Sequence, residues 1–375
     1  MTSISTDIRR SADSGNKNYN IGKIDMRYNV LGSSGEKVSR VCLGSMTWGL
    51  QNSQLEANEQ IEYALSQGVN FIDTAELYPV PPSGDKYGGT ETIIGNWIAQ
   101  NPTRRKDLIL ASKIAGPGLS YIRGGAKISG ESVVKAVDAS LKRLQTSYID
   151  LFQLHWPNRL SPHFAKHWPG KVKFSSVDSE HETNEMLEIL QALDSCVKAG
   201  KIRFCGLSDD TPWGINTYLK LSQQHALPRM VSIQNEFSLL HAKDWPYLIE
   251  NCVRENVAYL PWSPLAGGVL SGKYLDGKMP KGSRWTFEQR NGIFRDTPAT
   301  HAATARYVEL ANTYKITPSQ LALAWCDQVD GVTSTIIGAT NMQQLKENID
   351  AFSVALSKEA HSDIRQVFRD YPVPF

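Results

Sequence analysis

The sequence has few cysteines and no long apolar run. Its five cysteines among 375 residues are odd in number, scattered, and never spaced as Cys-x-x-Cys. Neither a disulfide framework nor a thiolate metal site is therefore predicted. No apolar run reaches the length of a membrane span, and the N-terminal stretch lacks the apolar core of a secretory signal. These absences predict a cytoplasmic protein with no membrane partner.

The sequence also lacks an excess of charge of either sign. Lysine and arginine number 40 and aspartate and glutamate 38, which gives a formal net charge of +2. Such a balance gives no reason to expect nucleic acid or an anionic membrane as partner. It favours a protein that acts on small molecules, and it leaves the oligomeric state open, a homo-oligomer included.

The N-terminal stretch differs from the remainder of the chain. Residues 1–25 are rich in Ser, Asn, Asp and Arg and poor in apolar residues, so we predict that they are disordered. Residues 26–375 are predicted to form one domain. It begins with a hairpin whose turn is Gly32-Ser33-Ser34-Gly35, followed by a first buried strand at Val41–Gly44.

Apolar strands and amphipathic helices then alternate along the chain. This alternation predicts an α/β fold, a (β/α)8 TIM barrel with an N-terminal hairpin and an extra C-terminal helix from Lys358 to about Arg369. The later strands are predicted to begin near Asn70, Asp107, Ile149, Arg203, Met230, Val257 and Ser334. The barrel helices are predicted near Leu55, Thr90, Glu131, Asn184, Trp213, Trp245, Ala302 and Met342.

Four ionisable residues stand at or just after the ends of apolar strand segments: Asp73, Tyr78, Lys113 and His155. Parallel strands would deliver them to one end of the sheet. There, an ammonium group favours the phenolate and lowers the pKa of a tyrosine, which would make Tyr78 a usable acid. An aspartate would hold Lys113 charged, and an imidazole could polarise a carbonyl oxygen. Together these residue types predict a catalytic site.

These four residues resemble the Asp, Tyr, Lys and His tetrad of the aldo-keto reductases. Within that family the chain is most similar to the bacterial Tas-type reductases, in Tyr78-Pro79-Val80-Pro81-Pro82 and Gly338-Ala339-Thr340. The likeness runs from about Met26 to about Arg369. It implies an NADPH-dependent oxidoreductase that reduces an aldehyde or ketone to an alcohol by hydride transfer, with Tyr78 as the general acid.

No Gly-x-Gly-x-x-Gly follows an early strand, so a Rossmann-type dinucleotide site is not supported. Four other segments resemble the stretches that hold the nicotinamide cofactor in this family. The resemblance implies that the carboxamide, the ring, the phosphates and the adenosine are bound by Ser208, Asp209, Gln234, Trp262, Ser263, Pro264, Leu265, Lys273, Arg284, Gly338, Thr340, Gln344, Glu347 and Asn348.

Two positions depart from the family pattern. Many members have Asn where this chain has Asp209, and an ionised acid cannot donate to a carboxamide. The family also commonly has a cation near Thr340, where this chain has none. NADPH is still preferred to NADH as the predicted cofactor, because Lys273 and Arg284 remain to meet phosphates.

The loops after the strands build the active face of such a barrel, and two of them are long, 157–183 and 267–300. Trp48 and Trp156, each just after a strand, are predicted to line the substrate pocket. His163 and His167 have the i, i+4 spacing of metal ligands on a helix, but no third ligand is evident, so no metal is predicted.

Two other classes of function compete with the reductase hypothesis. The first is a redox-sensing, nicotinamide-binding regulatory subunit similar to the β subunits of potassium channels. Those subunits commonly have Asn in place of the catalytic His, whereas this chain keeps His155. The second is a metal-free barrel hydrolase that uses paired acids such as Asp73 and Glu76, which would leave the cofactor-like segments without a role.

Overall fold

A computed structural model describes residues 25–164, 166–287 and 293–375. Apart from Asp25, the segment 1–25 that we predict to be disordered lies outside the described residues. Two strands, β1 and β2, form an antiparallel hairpin, and eight more, β3 to β10, form a parallel sheet in the order β10-β3-β4-β5-β6-β7-β8-β9. Their bounds are Tyr28–Val30, Lys37–Ser39, Val41–Gly44, Phe71–Asp73, Ile109–Ile114, Ile149–Leu154, Ile202–Ser208, Met230–Glu236, Ala258–Trp262 and Thr335–Ile337.

The sheet curls until its two outer strands meet. An isolated parallel bridge joins Tyr259 of β9 to Val332, just before β10, and Thr333 N donates to Tyr259 O at 2.9 Å. The eight-stranded barrel predicted from the sequence is therefore confirmed, as are the hairpin and the approximate start of every strand.

The hairpin covers the end of the barrel where the strands begin. Leu31 and Val38 are fully buried against barrel residues such as Phe71 and Leu151. Gly32 has a φ of +51°, and a Cβ there would lie 2.2 Å from Val231 O. Glycine is therefore required at this close approach, and the opposite end of the barrel is left for the site.

The outer layer consists of ten helices in the described residues, α1 to α10. Their bounds are Gln54–Ser66, Gly89–Gln100, Gly130–Leu144, Ser179–Lys198, Pro212–His225, Tyr247–Arg254, Pro298–Thr313, Pro318–Gln328, Met342–Asp350 and Lys358–Asp370. None of the helices in these described ranges is long and apolar enough to cross a bilayer. The predicted C-terminal helix is confirmed as α10.

Helix α8 is not among the helices predicted from the sequence. Its start carries strong local signals: Pro318 is at the first helical position, Thr317 caps the helix, and Gln320 completes a capping box with Thr317. Pro at N1 and a reciprocal cap are both typical of helix starts. The helix was missed because its apolar residues follow one another rather than recurring at helical spacing, and Leu321 through Asp327 are all buried.

Helices α2 and α3 pack closely enough to require a glycine at Gly95. A Cβ there would lie 2.1 Å from Arg143 O and 2.8 Å from Leu144 C. Backbone atoms of a packed helix cannot move aside as a flexible side chain can. The separation of the two helices is therefore set by the missing side chain.

Gly95→Ala should lower the free energy of unfolding by about 1–3 kcal/mol, the usual cost of overpacking a core. The matched control is Gly89→Ala on the same helix, where the nearest atom to an added Cβ, Pro79 Cδ, is 3.6 Å away. Urea denaturation followed by circular dichroism measures both. Equal midpoints for the two variants would show that the helices separate at little cost.

Candidate active site

The four predicted catalytic residues meet at the carboxyl end of the barrel. Asp73 is the last residue of β4, Lys113 is next to last in β5, and His155 directly follows β6. Tyr78 lies on the loop after β4. All four side chains are largely or fully withdrawn from solvent. The strands of a parallel barrel thus bring together residues that lie up to 82 positions apart in the sequence.

Lys113 and Asp73 form a buried ion pair. Lys113 Nζ donates to Asp73 Oδ2 at 2.6 Å and to Thr74 O at 2.9 Å, and neither residue is more than 2% exposed. Burial by itself lowers the pKa of Lys113, but the charge of Asp73 and the contact with Tyr78 outweigh it and raise the pKa. Lys113 is therefore held as an ammonium group at neutral pH.

The other oxygen of Asp73 is occupied by two amides. Gln234 Nε2 donates to Asp73 Oδ1 at 2.8 Å, and Gln153 Nε2 donates at 3.3 Å. Gln234 Nε2 also reaches Gln153 Oε1 at 3.3 Å. Since its amide nitrogen is used in this way, Gln234 keeps its carbonyl oxygen for any further partner.

Tyr78 stands against the lysine. The Nζ of Lys113 lies 3.5 Å from Tyr78 Oη and 5.0 Å from the centre of its ring. Burial raises the pKa of Tyr78, and Lys113 offsets this only in part. Lys113 thus lowers the pKa of Tyr78 as expected, but desolvation of the phenolate outweighs this effect, so the net shift is upward and the hydroxyl keeps its proton at neutral pH.

His155 completes the group as a neutral imidazole. Its ring centre lies 5.7 Å from that of Tyr78 and 5.1 Å from that of Trp156. Burial and the nearby Lys113 hold the pKa of His155 well below its usual value. Among the described residues its buried Nδ1 has no hydrogen-bond partner. A neutral ring with an unused nitrogen can bind a polar group of a ligand.

Glu76 lies between Asp73 and Tyr78 in the chain, yet it does not pair with Asp73. Its two carboxylate oxygens accept from Ala115 N, Tyr87 Oη and Arg123 Nη1 at 2.7, 2.9 and 3.1 Å. Because both acids are held by other partners, Asp73 and Glu76 do not form the pair that the hydrolase hypothesis requires.

The two tryptophans predicted to line the substrate pocket differ in position. Trp156 is partly buried beside His155, and its Nε1 donates to Pro117 O at 3.1 Å. Trp48 has no accessible surface and donates to Gln60 Oε1 at 2.9 Å. The prediction for Trp48 is therefore corrected: the indole packs in the core beneath α1, where its one polar atom is satisfied.

The candidate nicotinamide residues end the next three strands. Ser208 and Gln234 are buried near the ends of β7 and β8, and Trp262 ends β9. Trp262 Nε1 donates to Asp209 Oδ1 at 3.0 Å. Burial raises the pKa of Asp209 well above its usual value, with Trp262 acting against the shift. This direction favours the protonated carboxyl, the form that could donate a hydrogen bond as Asn does.

The candidate phosphate residues follow β9. Ser263, Pro264 and Leu265 lead into a glycine-rich turn that carries Lys273, and Arg284 lies beside Gly267. Burial and the neighbouring Arg295 lower the pKa of Arg284 to about 10. Within the described ranges, no carboxylate lies within ion-pair distance of Arg284 or Lys273; Arg284 Nη2 contacts only Met46 Sδ, at 3.6 Å. Two crowded, unpaired cations suit an anionic ligand.

The candidate adenosine residues follow β10. Gly338 is exposed, and nothing lies within 4 Å of the position of its missing Cβ, which leaves the backbone open to a ligand. Gln344 Oε1 accepts from Thr340 N at 3.0 Å, and Asn348 Nδ2 donates to Gly338 O at 3.0 Å. Glu347 Oε1 accepts a hydrogen bond from Thr317 Oγ1 at 2.6 Å. These bonds hold the segment on the start of α9.

The second long loop and the C-terminus contact residues at the end of β8 and after it, through pairs that the sequence analysis missed. Arg295 forms a buried ion pair with Glu236 at the end of β8, its Nε lying 2.9 Å from Oε1. The ring of Phe375 stacks on His241 with centres 5.6 Å apart and contacts Phe294. No local signal marks these contacts, because the partners lie far apart in sequence.

The two histidines of the first long loop have separate partners. His163 Nε2 contacts Asp210 O at 3.2 Å, whereas the ring of His167 lies 6.1 Å from that of His241. No cluster of three or more potential metal ligands occurs in the part of the chain that the structure describes. Cys205 is fully buried, which raises its pKa to about 12, so its thiol is not activated.

The fold is a (β/α)8 barrel with a candidate catalytic site at its mouth, and sequence comparison identifies the family. Residues 40–369 match the aldo/keto reductase family, and the chain belongs to it. It is 41% identical to Protein tas of Escherichia coli over 352 residues, 93% of this chain and 99% of that protein. It is 30% identical to the uncharacterized oxidoreductase YrpG of Bacillus subtilis, over 92% of this chain and 96% of that one.

A protein named as a probable channel subunit is also among the relatives. The chain is 28% identical to a probable voltage-gated potassium channel subunit beta of Arabidopsis thaliana, over 92% of this chain and 98% of that protein. The family and the bacterial relatives establish this chain as an oxidoreductase by membership.

His241→Gln should make the free energy of unfolding less dependent on pH below neutrality. Burial, Lys243 and Arg295 lower the pKa of His241 to about 4, against the pull of Glu236. Between pH 6.5 and 4 this histidine is therefore protonated in the unfolded chain but stays neutral in the folded protein, so the free energy of unfolding falls as pH falls. In His241→Gln we expect the loss of unfolding free energy between pH 7 and pH 4 to be about 1–3 kcal/mol smaller than in the wild type, as measured by urea denaturation. The control is His225→Gln at an exposed helix end; an unchanged slope in His241→Gln would contradict the assignment.

Proposed function

We propose that this protein is an NADPH-dependent reductase of aldehydes or ketones in which Tyr78 is the general acid. The observation that carries the proposal is the contact chain from Asp73 through Lys113 to Tyr78, with distances of 2.6 and 3.5 Å. It ends in a protonated hydroxyl on a ring whose centre lies 5.7 Å from that of a neutral imidazole. A protonated hydroxyl and an imidazole donor are the groups that a carbonyl oxygen gaining negative charge requires.

Each of the three residues has a distinct part in this scheme. The Tyr78 hydroxyl donates its proton to the carbonyl oxygen as that oxygen becomes an alkoxide. The Lys113 ammonium group stabilises the phenolate left behind, so proton transfer is less costly than burial alone would make it. His155 donates a hydrogen bond to the same oxygen and orients the substrate. The rings of Tyr78 and Trp156 then bound the place where the substrate binds.

The residues around the barrel mouth fit a nicotinamide dinucleotide. Such a cofactor supplies the hydride that reduces the carbonyl carbon. Ser208, Asp209 and the free oxygen of Gln234 suit its carboxamide, and the indole of Trp262 suits its flat ring. Unpaired Lys273 and Arg284 suit its phosphates. The open backbone at Gly338 and the polar side chains of α9 suit its adenosine end.

The alternative function is a regulatory subunit that binds the cofactor without catalysing a reduction. Similarity to a potassium channel β subunit supports nicotinamide binding, but His155 and its free nitrogen favour turnover. Cofactor binding without measurable reduction of any aldehyde, ketone or quinone would favour the regulatory hypothesis. Failure to bind either NADPH or NADH, measured by titration calorimetry, would remove both.

Tyr78→Phe should reduce kcat for a good aldehyde substrate by roughly 10²-fold or more, since a positioned general acid is lost. The fold and the affinity for NADPH should remain, because the ring and its apolar contacts are kept. NADPH oxidation followed by absorbance measures the rate, and fluorescence titration measures binding. A wild-type rate would mean that the proton comes from another group.

Arg284→Ala should weaken the binding of NADPH more than that of NADH, since a guanidinium pairs strongly with the additional phosphate that only NADPH carries. The matched control is Lys278→Ala, a lysine on the same long loop that is exposed and already paired with Asp276 at 3.1 Å. Dissociation constants for both nucleotides in both variants decide the outcome. Equal losses for the two nucleotides in Arg284→Ala would place its guanidinium away from that phosphate.

A further inference from the structure

Glu76 is a fully buried acid on the loop that carries Tyr78, and every part of it is engaged. Its Oε1 accepts from Ala115 N at 2.7 Å and its Oε2 from Tyr87 Oη at 2.9 Å. Its backbone is fixed as well, since Glu76 N donates to Lys113 O and Gly88 N donates to Glu76 O. A carboxylate with 0% exposure needs this many donors to remain charged.

Arg123 supplies the compensating charge and a second link to the same strand end. Its Nη1 lies 2.8 Å from Glu76 Oε1 in the ion pair. Its Nη2 donates to Ala115 O at 2.7 Å. The amide and the carbonyl of Ala115 are therefore both held, one by each member of the pair. Such a planar, forked arrangement is specific to a guanidinium.

The position of this pair in the chain gives it its consequence. Ala115 follows Lys113 by two residues, and Glu76 precedes Tyr78 by two residues. The Glu76 and Arg123 contacts thus tie the loop of the hydroxyl to the end of the strand that bears the ammonium group. Between Lys113 and the Tyr78 hydroxyl itself there is one hydrogen-bond contact, of 3.5 Å.

We propose that Glu76 and Arg123 are a positioning pair that holds the Tyr78 hydroxyl against Lys113, and that Glu76 transfers no proton itself. The inference rests on the proposed function, because it acts through Tyr78 as the acid. The charge of Glu76 is essential to it. Glu76→Gln would place a neutral amide where Oε2 accepts from Tyr87 and Arg123. The Tyr87 hydroxyl can turn to accept, but the guanidinium can only donate and loses its charged partner.

A double-mutant cycle tests the proposal with the full chain and NADPH. Glu76→Gln should lower kcat roughly 10-fold or more, since small misplacements of reacting groups are costly. It should leave KM and the dissociation constant of NADPH within about 3-fold, because the pair touches neither ligand. In Tyr78→Phe/Glu76→Gln the rate should match that of Tyr78→Phe alone, because the hydroxyl that Glu76 positions is already absent.

A matched control separates positioning from general loss of stability. Asp150 is also a buried acid that accepts from arginine, from Arg105 at 2.7 Å, and from a backbone amide of β5, Leu110 N at 3.0 Å. It lies at the opposite end of the barrel, near the start of β6. Asp150→Asn should lower the melting temperature as Glu76→Gln does, yet leave kcat unchanged at a temperature where both variants are folded.

The outcomes distinguish the inference from the function on which it rests. A slow Tyr78→Phe combined with a double mutant that is slower by the full Glu76→Gln factor would overturn the positioning role alone. A wild-type rate in Tyr78→Phe would overturn the proposed function and the inference together. Should Glu76→Gln fail to fold, Arg123→Lys keeps the charge but cannot reach Glu76 and Ala115 O at once, and the same cycle with Tyr78→Phe applies to it.

Discussion

The ion pair between Lys113 and Asp73 is the constraint on which the site depends. A buried ammonium group is costly unless it is paired and hydrogen-bonded, and here it has a carboxylate oxygen at 2.6 Å and a carbonyl oxygen at 2.9 Å. Its charge acts on both neighbours. It limits the rise in the pKa of Tyr78, and it helps to keep His155 neutral. One charge inside the barrel therefore gives a tyrosine and a histidine their different protonation behaviour.

The surroundings of that pair show how a barrel interior can be polar without being unstable. The amides of Gln153 and Gln234 occupy the second oxygen of Asp73, so the acid has no free lone pair directed at an apolar wall. Networks of this kind stabilise when every member is satisfied and destabilise when one is not. Because Gln234 also faces the candidate nicotinamide site, the ion pair and a bound cofactor would share one amide group.

The sequence allowed the barrel and the four catalytic candidates to be predicted, because strand ends in a parallel barrel converge and the motifs mark those ends. It did not allow net pKa directions to be predicted: the lysine beside Tyr78 is visible in the sequence, but the burial that outweighs it is not. Trp48 was misplaced because a residue after a strand can point to the core or to the mouth. The Glu236 and Arg295 pair joins residues 59 positions apart, and a single sequence does not connect them.

The barrel is closed unevenly, and this bears on the candidate cofactor site. Seven of its eight strand junctions are hydrogen-bonded ladders, one of them with a register shift between Cys205 and Gly206, whereas β9 and β10 are joined by the bridge from Tyr259 to Val332 and the hydrogen bond beside it. The loops after these two strands carry Lys273 on one side and Gly338 on the other. A ligand bound by both loops would cross the junction between β9 and β10. A ligand that binds only the folded state adds its binding free energy to stability. A bound cofactor would therefore stabilise the barrel at the junction where pairing between its own strands contributes least.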